Sequence, residues 1–186
     1  MPRSNRLKWI DLKKLVCFFA QDGEEIQKIY YFSAYAKHVF DAYKRHEKYV
    51  KVLEDIGIEV IMGNFKKKFP KCKKCLQKYT THEEKESDIN IAIEMLQDAF
   101  EDNFDKAFLI TSDSDLVSTI KKIKLLFPSK DVILITPPNR SRFASELKNS
   151  AKRWHEMQKE QLEECQLPKK VTLSDDTVIV RPKEYD

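Results

Sequence analysis

Two aspartates, Asp113 and Asp115, stand one residue apart in TSDSD, at the end of the apolar run Ala107–Thr111. Carboxylates this close repel each other unless protons or a cation compensate, and oxygen-only ligands suit a hard divalent ion, Mg²⁺ or Mn²⁺. Taken alone, SDSD reads first as a helix cap, because Ser and Asp are good N-caps. A third acid shifts the balance. Asp88 opens the segment with the clearest helical period in the chain. An acid in a first helical turn commonly serves only the helix dipole, but three acids at one strand end and one helix start are candidate metal ligands and catalytic groups together. The hydroxyls of Thr111, Ser112 and Ser114 would either orient those carboxylates or cap the helix, capping being the commoner role.

A second group of residues could attract a polyanion. FKKKFPKCKKCLQKY places six lysines, Lys66, Lys67, Lys68, Lys71, Lys73 and Lys74, among Phe65, Phe69 and Tyr79. Lysines bind phosphates by charge and aromatic rings stack on exposed bases, so single-stranded RNA is the partner this mixture suits; a solvated surface loop is the equal alternative. Arg140 and Arg142, just past the last apolar strand, are further phosphate candidates. Within the lysine segment Cys72-x-x-Cys75 is half of a Zn²⁺ ligand set, with His82 a candidate third and no second cysteine pair in the chain. His38, His46 and His155 fall on expected helices and read as surface or core-edge residues, Trp9 and Trp154 as packing residues.

The elements that must position these groups follow from periodicity. Apolar residues make up 41% of the 186 residues and charged residues 34%. That is ample for one hydrophobic core, and no apolar run approaches the roughly 18 residues that span a bilayer. With MPRSNRLKW lacking an apolar signal region, a cytoplasmic protein without a membrane partner is expected. Four cysteines are too few and too unevenly spaced for a disulfide scaffold. The formal net charge is only +4, so its clustering matters more than its size.

Trp9–Ala20 predicts a short amphipathic helix, KIYYFSAY a strand, Val39–Leu53 a helix closed by Gly57, and IEVIM a buried strand. Gly63–Thr81 has no period and predicts a long loop. Thr81 with Glu84 resembles a capping box before a helix whose face is Ile89, Ala92, Ile93, Leu96, Ala99 and Phe100. AFLIT and VILIT are further strands around a helix carrying Leu116, Val117, Ile120, Ile123 and Phe127. The tail predicts a helix over Phe143–Cys165 and a hairpin around Ser174-Asp175-Asp176. Strands alternating with helices, with short strands apolar on both faces, mean an α/β fold with a doubly wound parallel sheet.

EEKESDINIAIEML, then a strand, then LITSDSDL, resembles the NYN domain family, a branch of the PIN-like nucleases, from about Lys8 to Pro138; the tail CQLPKKV with RPKEY is similar to extensions of some bacterial members. The resemblance implies a Rossmannoid three-layer fold, with an NYN/PIN-like domain over residues 1–140 and a carboxy-terminal extension over 141–186. It implies a metal-dependent ribonuclease with Asp88, Asp113 and Asp115 at the family's acidic positions. The chain departs from the pattern at its start. NYN domains begin with an apolar strand ending in an Asp-Gly-x-Asn type motif, which supplies a further acid and the central strand. MPRSNRLK is too polar for that strand, and Asp22-Gly23 follows a helix. The expectation is therefore a sheet lacking its first strand, with KIYYFSAY and AFLIT separated or paired directly.

Two other readings compete. A non-catalytic RNA-binding module would keep the lysine segment without a full acid set. A haloacid-dehalogenase-like phosphatase would use SDSD as its nucleophile motif, but that motif belongs on a first strand, and here several strands precede it. Nothing in the sequence fixes the oligomeric state, and a homo-oligomer is left open.

Overall fold

The computed structural model describes residues 5–185; Met1–Ser4 of the polar opening and Asp186 lie outside the described residues. A 3-10 turn, Asn5–Lys8, leads to α1 (Leu12–Val16), whose N-cap Asp11 accepts a hydrogen bond from the Lys14 backbone N–H at 3.0 Å. β1 (Tyr30–Ala34) and α2 (Phe40–Asp55) follow. Gly57, at φ 81°, turns the chain out of α2 in a left-handed conformation that costs a residue without a Cβ little. Then come β2 (Glu59–Lys68), β3 (Thr81–Lys85), α3 (Ser87–Phe100) and β4 (Lys106–Ile110). A 3-10 turn, Ser114–Leu116, runs into α4 (Val117–Leu126), followed by β5 (Asp131–Thr136) and α5 (Ser145–Ser150). β6 (Arg153–Glu156), α6 (Lys159–Glu164), β7 (Lys170–Thr172) and β8 (Val178–Val180) complete the chain. Two compact units result, Met1–Ile29 with Ala92–Asp186 and Tyr30–Ile91, with α3 passing unbroken from one to the other.

In the first unit β4, β5 and β6 form a parallel sheet in that order, with Lys106 opposite Asp131, Ile110 opposite Ile135 and Ile133 opposite Arg153. β5 is the central strand, and Val132 to Thr136 are all buried, as a parallel strand covered on both faces must be. α4 contributes Val117, Ile120 and Ile123 to this core and α5 contributes Leu147. A neighbouring cluster joins Ile10 and Leu15 to Ile135, Met157 and Cys165. Backbone bonds from Asp11 N–H to Cys165 O (2.7 Å) and from Leu167 N–H to Trp9 O (2.9 Å) tie the two chain ends of this unit together. Trp9 is fully buried, and its indole N–H donates to Pro168 O at 3.0 Å, so its one polar atom is satisfied. Removing roughly 200 Å² of such a ring from water favours folding by on the order of 5 kcal/mol before entropy is counted.

In the second unit β1 lies parallel to β2, Tyr30 opposite Glu59 and Ala34 opposite Gly63, and β2 continues antiparallel to β3, from Asn64 opposite Lys85 to Lys68 opposite Thr81. α2 buries Tyr49, Val50, Val52 and Leu53. The class is α/β with parallel strands, as the alternating pattern implied. Its strands form two three-stranded sheets and a hairpin; β1 and β4 belong to different sheets, with no ladder joining them among the described residues.

Several expectations need correction. The loop expected over Gly63–Thr81 is largely a hairpin, because β2 runs on to Lys68 and β3 pairs with it through opposed charge: Lys66 faces Glu83, and Lys68 is ion-paired to Glu83. Thr81 and Glu84 therefore sit in a strand and form no capping box; the helix starts at Ser87, whose hydroxyl donates to Glu84 Oε1 at 2.6 Å. α3 has the expected period but buries only Ala99, while Ile89, Ile93 and Phe100 are 62%, 52% and 81% exposed. Periodicity says which residues share a face, not what covers it. The helix expected over Phe143–Cys165 breaks into α5, β6 and α6, since Lys152 N–H is captured by Val132 O at 2.9 Å and the chain joins the sheet. His155 is thus a strand residue, and Trp154 is 44% exposed beneath the Lys148 ammonium instead of packed in the core. No helix among the described residues is long and apolar enough to cross a membrane.

Candidate metal centre

Asp113 and Asp115 leave the carboxyl end of β4 on a backbone fixed at both sides. Before them Thr111 N–H extends the ladder to Ile135 O at 3.1 Å, and Thr111 Oγ1 accepts from Asp113 N–H at 3.0 Å. After them Leu116 and Val117 are buried, at 1% and 7% exposure. Asp113 is the N-cap of the 3-10 turn, its Oδ1 accepting from Asp115 N–H at 3.0 Å. Capping and metal ligation are therefore compatible, since a carboxylate offers about four lone-pair sites and the cap uses one. Both acids are exposed, as is Ser114, while Thr111 and Ser112 are half-buried. β4 and β5 are parallel and in register, so the loop carrying Arg140 and Arg142 leaves the same sheet edge as Asp113. That loop turns through Asn139 at φ 60°.

Asp88 lies in the first turn of α3. Its position depends on Gly63, which by sequence is only the start of the expected loop. A Cβ at Gly63 would lie 2.4 Å from Lys85 O and 3.0 Å from Ser87 Oγ, so only glycine lets β2 approach the start of α3 this closely. The signal available in the sequence is an isolated glycine in a strand-like run, which marks a close backbone approach. Glu86, at φ 78°, supplies the sharp turn from β3 into α3.

One carboxylate oxygen each from Asp88, Asp113 and Asp115 lie within 4.8 Å of one another, and all three side chains are exposed. Around an ion with Mg–O distances of 2.0–2.1 Å, octahedral geometry sets ligand oxygens about 3 Å apart at adjacent corners and about 4.2 Å at opposite ones. Hard oxygen donors with an open, hydrated side fit Mg²⁺ or Mn²⁺, which keep several waters.

The lysines divide into two sets. Lys66, Lys67 and Lys68 lie on β2, where Lys68 is ion-paired to Glu83 and the Lys67 ammonium sits 5.2 Å from the Phe69 ring. Lys71, Lys73 and Lys74 lie beyond the strands at the hairpin tip, and none has an ion pair among the described residues. Phe69 and Tyr79 are 59% and 53% exposed, whereas Phe65 is half-buried with its ring edge on His38. His38 also stacks on His82 at 3.7 Å between ring centroids. Desolvation, then the neighbouring His38 and Lys67, hold the His82 imidazole below its ordinary pKa. At the tip, the backbone N–H groups of Cys75 and Lys74, together with the Cys75 thiol, hold the Cys72 thiol below its usual range. His82 does not complete a zinc set with them. It pairs with Lys67, five residues before Cys72, which at strand rise is roughly 16 Å.

The profile of the NYN domain family matches residues 1–158, and the chain belongs to that family. NYN domains are typically nucleases. Among solved structures the chain is similar to VPA0982 of Vibrio parahaemolyticus, a protein of unknown function. The TM-score is 0.53 and the identity 16%, over 81% of this chain and 80% of that one. At that identity the likeness speaks for the α/β fold alone. No curated protein matches the chain.

Proposed function

We propose that the chain is a metal-dependent ribonuclease in which Asp88, Asp113 and Asp115 hold Mg²⁺ or Mn²⁺ and RNA is the substrate. The observation that carries this reading is the approach of the three acids' oxygens to within 4.8 Å in a member of a nuclease family. When bound there, a divalent ion would bring the pKa of water toward neutrality and stabilise charge growing on a phosphodiester's oxygens. The chain's own part is positional. Thr111 and the ladder to β5 fix the Asp113 backbone, Gly63 admits the start of α3, and Arg140 and Arg142 offer cations to the phosphates on the β4 and β5 edge. Lys66, Lys67, Lys68, Lys71, Lys73 and Lys74 draw the polyanion to the hairpin, and exposed Phe69 and Tyr79 give unpaired bases rings to stack on. Free thiols at all four cysteines suit the reducing cytoplasm.

A second reading has its own support. The tip lysines and rings need no acid cluster to bind RNA, so the same chain could serve as a non-catalytic RNA-binding module. Incubating single-stranded RNA with the protein and Mg²⁺ or Mn²⁺ separates the two. Cleavage that disappears with chelator and in Asp113→Asn, with RNA affinity retained, supports the nuclease. Binding without metal-dependent cleavage leaves the module.

A further inference from the structure

The hairpin tip holds a second ligand set that the nuclease reading leaves unused. Beyond the β2–β3 ladder, Lys71 and Lys78 form one more antiparallel bridge, and residues 72–77 close the turn. Cys72 N–H bonds Gln77 O at 2.8 Å, Leu76 N–H bonds Cys72 O at 2.9 Å, and Leu76 takes the left-handed φ of 60°. These bonds fold residues 72–77 into one tight turn that carries both Cys72 and Cys75 at the tip, with Cys75 exposed. Two cysteines three residues apart on a tight turn have the spacing of one half of a tetrahedral thiolate zinc site.

Two thiolates fill half of a tetrahedral shell. Among the described residues no third His, Cys, Asp or Glu joins them in a group that could hold an ion; the acid cluster alone meets that condition. The other cysteines give no help within the chain: Cys165 is buried in the core beside Ile10 and Leu15, and Cys17 lies next to α1 in the other unit. The tip itself is open, with Cys75 exposed and Leu76 72% exposed at its apex. We infer that the tip binds Zn²⁺ jointly with the same tip of a second copy, the ion taking Cys72 and Cys75 from each.

Charge favours this occupant. A Zn²⁺ ion with four thiolates is a dianion, and in each copy Lys71, Lys73, Lys74 and Lys78 neighbour the two cysteines in sequence. Without the ion the same lysines set two tips against each other, so association is conditional on metal. The pairing is isologous and closed, as two-fold contacts are. Soft thiolates also separate this site from the acid cluster, whose oxygens suit Mg²⁺ or Mn²⁺.

The test uses the full chain, reduced and freed of metal, titrated with Zn²⁺ under light scattering. The expected result is a doubling of mass that saturates at one ion per two chains and reverses with chelator. Co²⁺ in place of Zn²⁺ should give the thiolate charge-transfer and visible bands of a tetrahedral sulfur site. Cys72→Ser and Cys75→Ser should each weaken Zn²⁺ uptake by about a hundredfold or more and leave the chain monomeric. Asp113→Asn should dimerise normally, which separates this site from the acid cluster. Alkylation of the unaltered protein gives a readout without any variant: Zn²⁺ should protect Cys72 and Cys75 while exposed Cys17 reacts. Uptake of one ion per chain with no change in mass, dimerisation that survives loss of either cysteine, or unprotected Cys72 and Cys75 would each overturn the inference.

Discussion

The loop after β4 and the hairpin of β2 and β3 both carry charge, and they carry it on different supports. Asp113 and Asp115 are exposed side chains on a backbone held between buried residues, Leu109 on one side and Leu116 and Val117 on the other. The hairpin has no buried residue anywhere in β2 or β3. A metal site needs its ligands fixed to a fraction of an ångström, whereas attraction of a polyanion needs only the right sign of charge nearby. Under the proposed function one region serves position and the other capture, and their variants should fail in different ways.

The largest effect should come from the positional region. Asp113→Asn keeps the cap, because its amide oxygen can still accept from Asp115 N–H, but removes a ligand charge. Metal-dependent cleavage should fall by roughly a hundredfold to a thousandfold, the usual loss for one preorganised electrostatic group, with RNA affinity nearly unchanged. Rates under single turnover, with RNA binding measured alongside, check it. A fall in affinity that matches the fall in rate would mean that the acids and the hairpin do not divide the work.

Next comes the support itself. Leu116 is 1% exposed, so Leu116→Ala should destabilise the protein by about 2–5 kcal/mol, as a buried leucine leaving a cavity does. Denaturant unfolding measures this. An equally large loss on replacing Leu76, which is 72% exposed at the hairpin tip, would erase the contrast.

Capture should fail gradually. Replacing Lys71, Lys73 and Lys74 with Gln should weaken single-stranded RNA binding and flatten its salt dependence by about 0.7 in log–log slope for each phosphate no longer neutralised. Lys68, already paired with Glu83, should contribute less than any tip lysine. Affinity measured against salt concentration for each set decides whether the tip or the strand lysines do the binding.

What the sequence disclosed, and what it withheld, follows the same physical division. Val132–Thr136 announced itself as a buried parallel strand because it is apolar on both faces, and Ala107–Ile110 was legible as a strand whose end marked where Asp113 had to stand, although only its Leu109 is buried and Ile110 is 43% exposed. β3, THEEK, could not be read locally: it has no β-branched residue after Thr81, and its strand character comes from Lys66 and Lys68 on another segment. The break at residues 151–152 likewise depends on Val132, twenty residues back. The exposed stripe of α3 was legible as a stripe and illegible as exposed, since covering is a property of the neighbours.

The smallest effect lies in the second unit and tests whether it has a core of its own. His46 on α2 is half-buried, its ring against Tyr31 and Tyr35 and its Nε2 3.2 Å from the Tyr31 hydroxyl. Burial, opposed in part by the charge of Glu84, lowers its pKa below the ordinary value of 6.5. Burial, then the charges of Glu54 and Glu47, push the Tyr35 phenol up to about 12, so it stays neutral throughout the relevant range. A histidine whose folded pKa is depressed binds its proton more readily when unfolded. Its contribution to stability is therefore whole above pH 6.5 and declines as the pH falls from there through the folded pKa. Acidification from pH 7.5 to 5.5 should lower the unfolding midpoint, and His46→Gln, which keeps a polar partner for Tyr31 and cannot titrate, should lower it less. Because the ring is only partly enclosed, the difference should be small beside that of Leu116→Ala. If the two proteins lose stability in parallel over that interval, His46 is solvated in both states and the tyrosine cluster around it is not a core.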